Sequence, residues 1–386
     1  MTVIDLRDEL YKRKIEIIEI TNDFIFYAEE LKINGVDSVY LYSYSFSESA
    51  ELLLSCFSFE DAAYIQHFYS CENSIIILFE NGSGKVWVIK VDKATGEEVY
   101  RKSISLVGRF SECVALDDSN IIVYTKSDEE YKGLFNRCLE QTNSDSLANL
   151  YDLDKNIRYF IKDFNTALLV KNNMIKFFSG GREYMLLNDP FSGEKEKEAF
   201  VKELGSETEE IRDNIWLVRK NKFLDQVKAG ERNIKLKRVA TAGSNGTVRF
   251  ECICSGDIVF RGCSYKHKRE HFCAIPMEGG KIRTLARVKK YDEYSQYYTD
   301  KEKGKIYLLT HNNDEWSLNG EVGTDISITY PDSIGEIRSC IEDRYIIADS
   351  QADSKEKYAA VYDSALGLKD VFQARCEVKG EIVVLY

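Results

Sequence analysis

Forty residues, Tyr64 to Ser103, limit what this chain can fold into more than any other stretch. They alternate apolar runs with short polar turns. Ser74 to Phe79 is almost wholly apolar and short, which fits a strand covered on both faces. Asn81-Gly82-Ser83-Gly84 follows, rich in the residues that tolerate the positive φ of a hairpin turn. Lys85 to Val91 is the next strand, Asp92 to Gly96 the next turn, and Glu98 to Ser103 a more polar outer strand. With Tyr64 to Cys71 in front, the stretch is a four-stranded antiparallel meander. Its central strands are apolar on both sides, so it needs a neighbour on each face.

The rest of the chain supplies such neighbours. Ser339-Cys340 stands ahead of a polar turn and the run Tyr345 to Ile347, as Ser70-Cys71 stands ahead of Ile75 and Ile76, and Ser111-Glu112-Cys113 precedes Ile121 to Tyr124 more loosely. Anchoring each unit at its most apolar strand gives starts near Phe24, Ile75, Ile121, Met174, Ile258, Ile306 and Tyr345. The intervals are about forty to fifty residues, the length of a propeller blade, apart from one of about eighty. Seven anchors predict seven blades, with six or eight left open by the register counting, in an all-β ring formed by one domain spanning 1–386. The long interval predicts a helical insertion over 191–230, between blades four and five. There Ser192 caps a helix, Ser206 to Glu209 reads as a capping box, and Ile211, Ile215 and Val218 follow at helix spacing. Phe223, Leu224 and Val227 suggest a last short helix ending before Gly230. Ala167 to Val170 reads as a strand of blade four. The strands Lys14 to Ile20 and Glu381 to Leu385 are expected to meet in one closing sheet, because a ring removes exposed edges.

This spacing resembles that of β-propellers of the WD, Kelch and YVTN-like type. The Gly-His and Trp-Asp signatures of WD blades and the paired glycines of Kelch blades are absent, so the resemblance carries a fold and no functional residues.

Charge narrows the partners. The formal net charge is -12, and no basic stripe offsets it, which argues against nucleic acid. No segment is apolar enough to span a membrane, and the charged start lacks the apolar core of a secretory signal. A cytoplasmic protein is therefore expected. Its ten cysteines would be reduced, acting as small hydrophobes.

Candidate chemistry is thin. Cys252, Cys254, Cys263, His267, His271 and Cys273 form the densest cluster of metal-ligating types, but the Cys-x2-Cys knuckle of zinc sites is missing, so no metal and no cofactor are expected. Asp152, Asp154 and Asn156 alternate like part of a calcium loop without its glycine and distal glutamate. They read as a plain turn. His67, Glu112 and Glu251 fall on expected inner strands without recurring from blade to blade. Trp87 reads as packing between blades. The best contact candidates are aromatic or rim residues: Trp216 in the expected insertion, Trp316 in a polar hairpin, Tyr294 and Tyr297 in a tyrosine group, and His311 at a strand end.

Two function classes follow. The first is a non-enzymatic scaffold that recognises a protein or peptide partner. The excursion Lys126 to Leu147, with Tyr131 to Leu139 as a short helix, and the segment Glu194 to Ala229 frame its binding surface, and its acidic rim suits a basic partner. The second is a carbohydrate-active enzyme, a glycoside hydrolase or lyase, using the central channel. That class needs a converging acid–base set.

Overall fold

A computed structural model describes residues 1–10, 13–33, 35–59, 63–81, 84–127, 130, 132–142, 146–189, 213–242, 246–264, 269–289, 296–350 and 357–386. The strands form seven four-stranded sheets and one three-stranded sheet, each four-stranded sheet a simple meander in chain order. The protein is an all-β propeller of eight blades. Blade two, for example, takes Ala63–Ser70, Ser74–Asn81, Val86–Asp92 and Glu98–Ile104.

The expectation of seven blades is corrected by the three-stranded sheet. Cys376–Lys379 pairs antiparallel with Ile382–Leu385, which pairs in parallel with Thr2–Asp5 from the other end of the chain. Counting apolar anchors missed this blade because neither end contributes a run of blade length. The two termini do meet in one sheet, but through Thr2–Asp5. Ile15–Ile20 belongs instead to blade one, as its first strand.

Hydrophobic clusters show how the ring holds together. Phe26, Leu41, Ile75 and Ile89 join blades one and two, and Ile76, Val88, Ile121 and Val123 join two and three. Comparable clusters continue around to Ile347, Val361, Val383 and Leu385 between blades seven and eight. Leu6, Leu10, Ile25, Tyr27 and Val384 close the circle between eight and one. The second strands are buried on both faces, as the run Ser74 to Phe79 implied. The fourth strands, such as Leu368–Gln373, are mostly exposed. The first strands line the inside of the ring, and five of them carry a β-bulge at a similar place, with Ile18, Gln66, Ser111, Glu251 and Arg338 as the extra residue.

Helices are few. α1 (Arg7–Leu10) follows the closing strand. α2 (Lys132–Thr142) lies between the second and third strands of blade three, where the sequence suggested a short helix. α3 (Phe164–Asn173) replaces the strand expected at Ala167 to Val170; the Asp163 side chain caps it by accepting from Thr166 N at 3.0 Å. α4 (Lys220–Lys228) buries Phe223, Leu224 and Val227 and ends before Gly230, as expected.

The expected insertion is otherwise revised. Residues 190–212 lie outside the described residues, and with them the helices proposed around Ser192 and Ser206. Asn214–Arg219 is not helical: it is the third strand of blade four, paired with Arg182–Asp189 and Lys237–Thr241. Ile215 and Leu217 face blade five, while Trp216 and Val218 face blade three. A spacing of four, such as Ile211 to Ile215, satisfies a strand's period of two as well as a helix, and here the strand period wins. Both Asn214–Arg219 and α4 therefore lie within blade four rather than between blades.

Candidate binding face

In each four-stranded blade, the turn between the second and third strands and the link to the next blade lie at the same end of the ring. The other two turns lie at the opposite end. This follows from the antiparallel order. Among the described residues, four inter-blade clefts open at the first of these ends. The largest, about 880 Å³, lies between blades two and three, and one of about 510 Å³ lies between six and seven. Two smaller ones, of about 200 and 220 Å³, sit between blades one and two and between seven and eight.

Aspartates clamp the two larger interfaces at the other end. Asp118, in the first hairpin of blade three, accepts from Asn73 N at 3.1 Å and Ser74 Oγ at 2.5 Å in blade two. Asp343, in the first hairpin of blade seven, takes Lys305 Nζ at 2.7 Å, Tyr307 OH at 3.1 Å and Thr324 Oγ1 at 3.3 Å from blade six. Burial alone would raise the Asp343 carboxyl, but the hydrogen bonds and the Lys305 charge leave it below its usual value. The sheets are thus pinned together at one end and splay into clefts at the other.

The cleft between blades six and seven gathers two of the residues that the sequence singled out. His311 and Trp316 stand opposite each other on the second and third strands of blade six, with rings 4.6 Å apart. Trp316 Nε1 donates to Asp332 Oδ1 at 2.7 Å, and His311 Nε2 lies 3.3 Å from the same oxygen. Trp316, Tyr330, Asp332, Glu336, Gln296 and Leu309 line the space. Asp332 opens the short 3-10 turn that links the two blades. The sequence reading missed it: sixteen residues separate it from Trp316, and only the pairing of Trp316 with Tyr330 brings that link alongside. Trp316 is half-buried rather than freely exposed.

The other singled-out aromatics do different work. Trp216 packs against the core between blades three and four. Tyr297 packs edge-on to Phe272 at 5.0 Å, and its hydroxyl accepts from Lys289 N at 2.7 Å. Tyr294 lies outside the described residues, as does His267. Trp87 stacks on Phe79 at 6.2 Å in the core between blades one and two.

The cysteine cluster divides between two faces of blade five. Cys252 packs toward blade six and Cys273 toward blade four. Burial pushes the Cys252 thiol up to about 12, which suits a neutral core thiol. Among the described residues no three His, Cys, Asp or Glu side chains converge on a metal position. Cys252, Cys254 and Cys273 carry free thiols, as do six other cysteines along the chain. Asp152, Asp154 and Asn156 are held in their turn by Lys228 at 2.7 Å, Lys90 at 3.4 Å and Tyr100 OH at 3.2 Å.

Among inner-strand groups, Glu251 stands out. It is the bulged residue of its strand, only 13% exposed, with Arg261 at 3.1 Å and Thr299 Oγ1 at 3.1 Å. Burial raises its carboxyl against the pull of Arg261. Burial also raises Glu16, on the first strand of blade one, four blades away. Glu112 pairs with Lys171 at 3.0 Å, and His67 sits edge-on to Tyr69 at 4.6 Å.

The cleft between blades two and three holds residues that the sequence gave no reason to group. Lys85, Arg109 and Lys126 come from the starts or ends of three strands and share it with Glu80. Val86, Ile104, Leu106 and Phe110 form its apolar lining. α2 packs behind it: Phe135 lies so close to Gly108 that a Cβ there would fall 2.6 Å from Phe135 Cζ and 2.4 Å from Lys126 O, and the Gly108 φ of +90° favours glycine too.

No family model matches the chain, and no curated protein matches it. Among solved structures, one from work on two prolyl endopeptidases is 9% identical with a TM-score of 0.52, covering 94% of this chain and 50% of that one. An uncharacterized protein of Listeria monocytogenes EGD-e is 9% identical with a TM-score of 0.45, covering 93% of this chain and 94% of that one. The β-propeller domain of the Trilobed protease from Pyrococcus furiosus is 10% identical with a TM-score of 0.39, covering 93% of each. At such identities the likeness speaks to the fold alone, and what it supports is a β-propeller.

Proposed function

We propose that this chain is a recognition scaffold that binds a basic segment of a protein or peptide partner in the cleft between blades six and seven. The observation that carries this reading is the grouping of the Trp316 indole with Asp332 and Glu336 in a single cleft of about 510 Å³. An indole face and nearby carboxylates attract a Lys or Arg side chain, and the apolar lining takes its methylene stem. His311 packs against the indole and braces it, and Asp332 fixes it by a hydrogen bond. The negative net charge would speed the approach of a basic partner. Titrating a labelled Lys- and Arg-rich peptide into wild-type protein and into Trp316→Ala tests this. Equal binding by the two would end the proposal.

The second reading, a carbohydrate-active enzyme working in the central channel, draws on the buried, raised carboxyl of Glu251. Glycoside chemistry needs a second carboxylate within reach, and Glu16 lies on the opposite side of the ring. A reducing-sugar assay across polysaccharides decides it: release that Glu251→Gln abolishes would favour the enzyme.

A further inference from the structure

We infer that the cleft between blades two and three is a second binding site, for an acidic peptide segment that alternates carboxylate and apolar side chains. It goes beyond the basic-peptide site and does not depend on it. On a chain of net charge -12, this cleft of about 880 Å³ is lined, among the described residues, by three cations, Lys85, Arg109 and Lys126, against one carboxylate, Glu80. All three cations are exposed, so each can reach a ligand. Arg109 reaches the Ser127 carbonyl at 3.4 Å through one nitrogen, which leaves its remaining N–H groups for a carboxylate.

The lining then narrows the occupant. Val86 is buried, and Ile104, Leu106 and Phe110 are half-buried in the same cleft. A polyphosphate backbone has no use for an apolar floor, and the acidic surface around the ring repels it. A peptide with carboxylates on one side and leucine-like side chains on the other meets both features. The size of the cleft falls within the range that encloses a ligand rather than a single ion. The walls are also well supported. Phe135 of α2 presses against Gly108, and Asp118 pins the two blades at the far end. Little ordering cost therefore remains to be met on binding.

The test uses the whole chain and a short fluorescein-labelled peptide of alternating Glu and Leu. Saturable binding is expected, weakening at least about tenfold in Lys85→Glu/Arg109→Glu/Lys126→Glu and falling steeply as salt rises. The neutralised variant Lys85→Gln/Arg109→Gln/Lys126→Gln should lie between the two; it carries the test if the reversed one fails to fold by circular dichroism. A Gln-Leu control peptide should bind weakly. The inference is overturned if the Glu-Leu peptide does not bind, if charge reversal leaves its affinity unchanged, if the Gln-Leu control binds as well, or if oligothymidylate displaces it at lower concentration. Trp316→Ala separates the two sites. It should weaken the basic peptide and leave the acidic one untouched. Loss of both would show a single shared site and overturn this inference.

Discussion

The clefts between blades two and three and between blades six and seven are built alike and furnished oppositely. Each opens at the end of the ring where blades are linked, and each is pinned at the other end by an aspartate from the first hairpin of the following blade, Asp118 or Asp343. In a ring of eight they stand four interfaces apart, on opposite sides of one face. One is lined by Lys85, Arg109 and Lys126, the other by Trp316, Asp332 and Glu336. Propeller geometry repeats the scaffold, while the side chains at the strand ends set what each cleft can hold.

The largest expected effect is at Trp316. Truncating an aromatic anchor in a cleft commonly costs about 2 kcal/mol or more of binding, roughly thirtyfold. Trp316→Ala should weaken a basic peptide by about that factor, read by fluorescence anisotropy, with an acidic peptide unaffected. His311→Ala should have a smaller effect in the same direction, because His311 acts by bracing the indole.

The clamps come next. Asp343→Asn is expected to cost about 1–2 kcal/mol near neutral pH, because it loses charge-assisted bonds to Lys305 that are only partly exposed. The sign with pH follows from its lowered carboxyl. The stabilisation is present above the ordinary carboxylate value of 3.8 and is lost as pH falls through the lower folded value, so the wild-type and Asp343→Asn stabilities should converge in acid. Urea melts at neutral and acidic pH measure this. Asp118→Asn should also destabilise, by about 1 kcal/mol, since it bonds to neutral donors rather than to a lysine. Equal losses at the two sites would mean that the lysine adds nothing to the clamp.

Glu251 gives a slope of the opposite sign. Its carboxyl is raised by burial, so the folded state holds its proton more firmly than the unfolded state does. Stability is then full below the usual value of 4.5 and declines as pH rises through the folded value. Glu251→Gln should remove that decline, gaining on wild type as pH climbs from acid to neutral by up to about 1 kcal/mol, while still losing the Arg261 contact. A flat difference between the two across this range would show that the Arg261 pair cancels the effect of burial, and a reversed slope that it outweighs it.

The parts of the fold that were legible in the sequence were those with local signals. Ser74 to Phe79 announced a buried strand through composition, and its neighbours announced turns through Asn, Gly and Asp. Six of the seven anchors fall in the second strands of blades; Met174 instead begins the first strand of blade four. The eighth blade was hidden because it is assembled from Thr2–Asp5 and 376–385, whose pairing is a long-range fact that no short window contains. The clefts were half-legible for the same reason. His311 and Trp316 sit in one hairpin and were found, whereas Asp332 arrives from the link and the three cations from three separate strand ends.

The smallest expected effect concerns Tyr297, which the sequence placed among the contact candidates with Trp316. In the fold its ring packs against Phe272 between blades five and six, and its hydroxyl serves the Lys289 backbone at 2.7 Å. Tyr297→Phe keeps the ring and removes only that hydroxyl, so the loss should be about 0.5–1 kcal/mol of stability. Neither peptide should bind differently, because Tyr297 lines neither of the two clefts. Thermal melts and the same anisotropy titrations separate these outcomes. A clear drop in affinity with unchanged stability would move the binding surface inward, from the rim clefts toward the first strands of the ring, and the contrast between the two clefts would then no longer account for recognition.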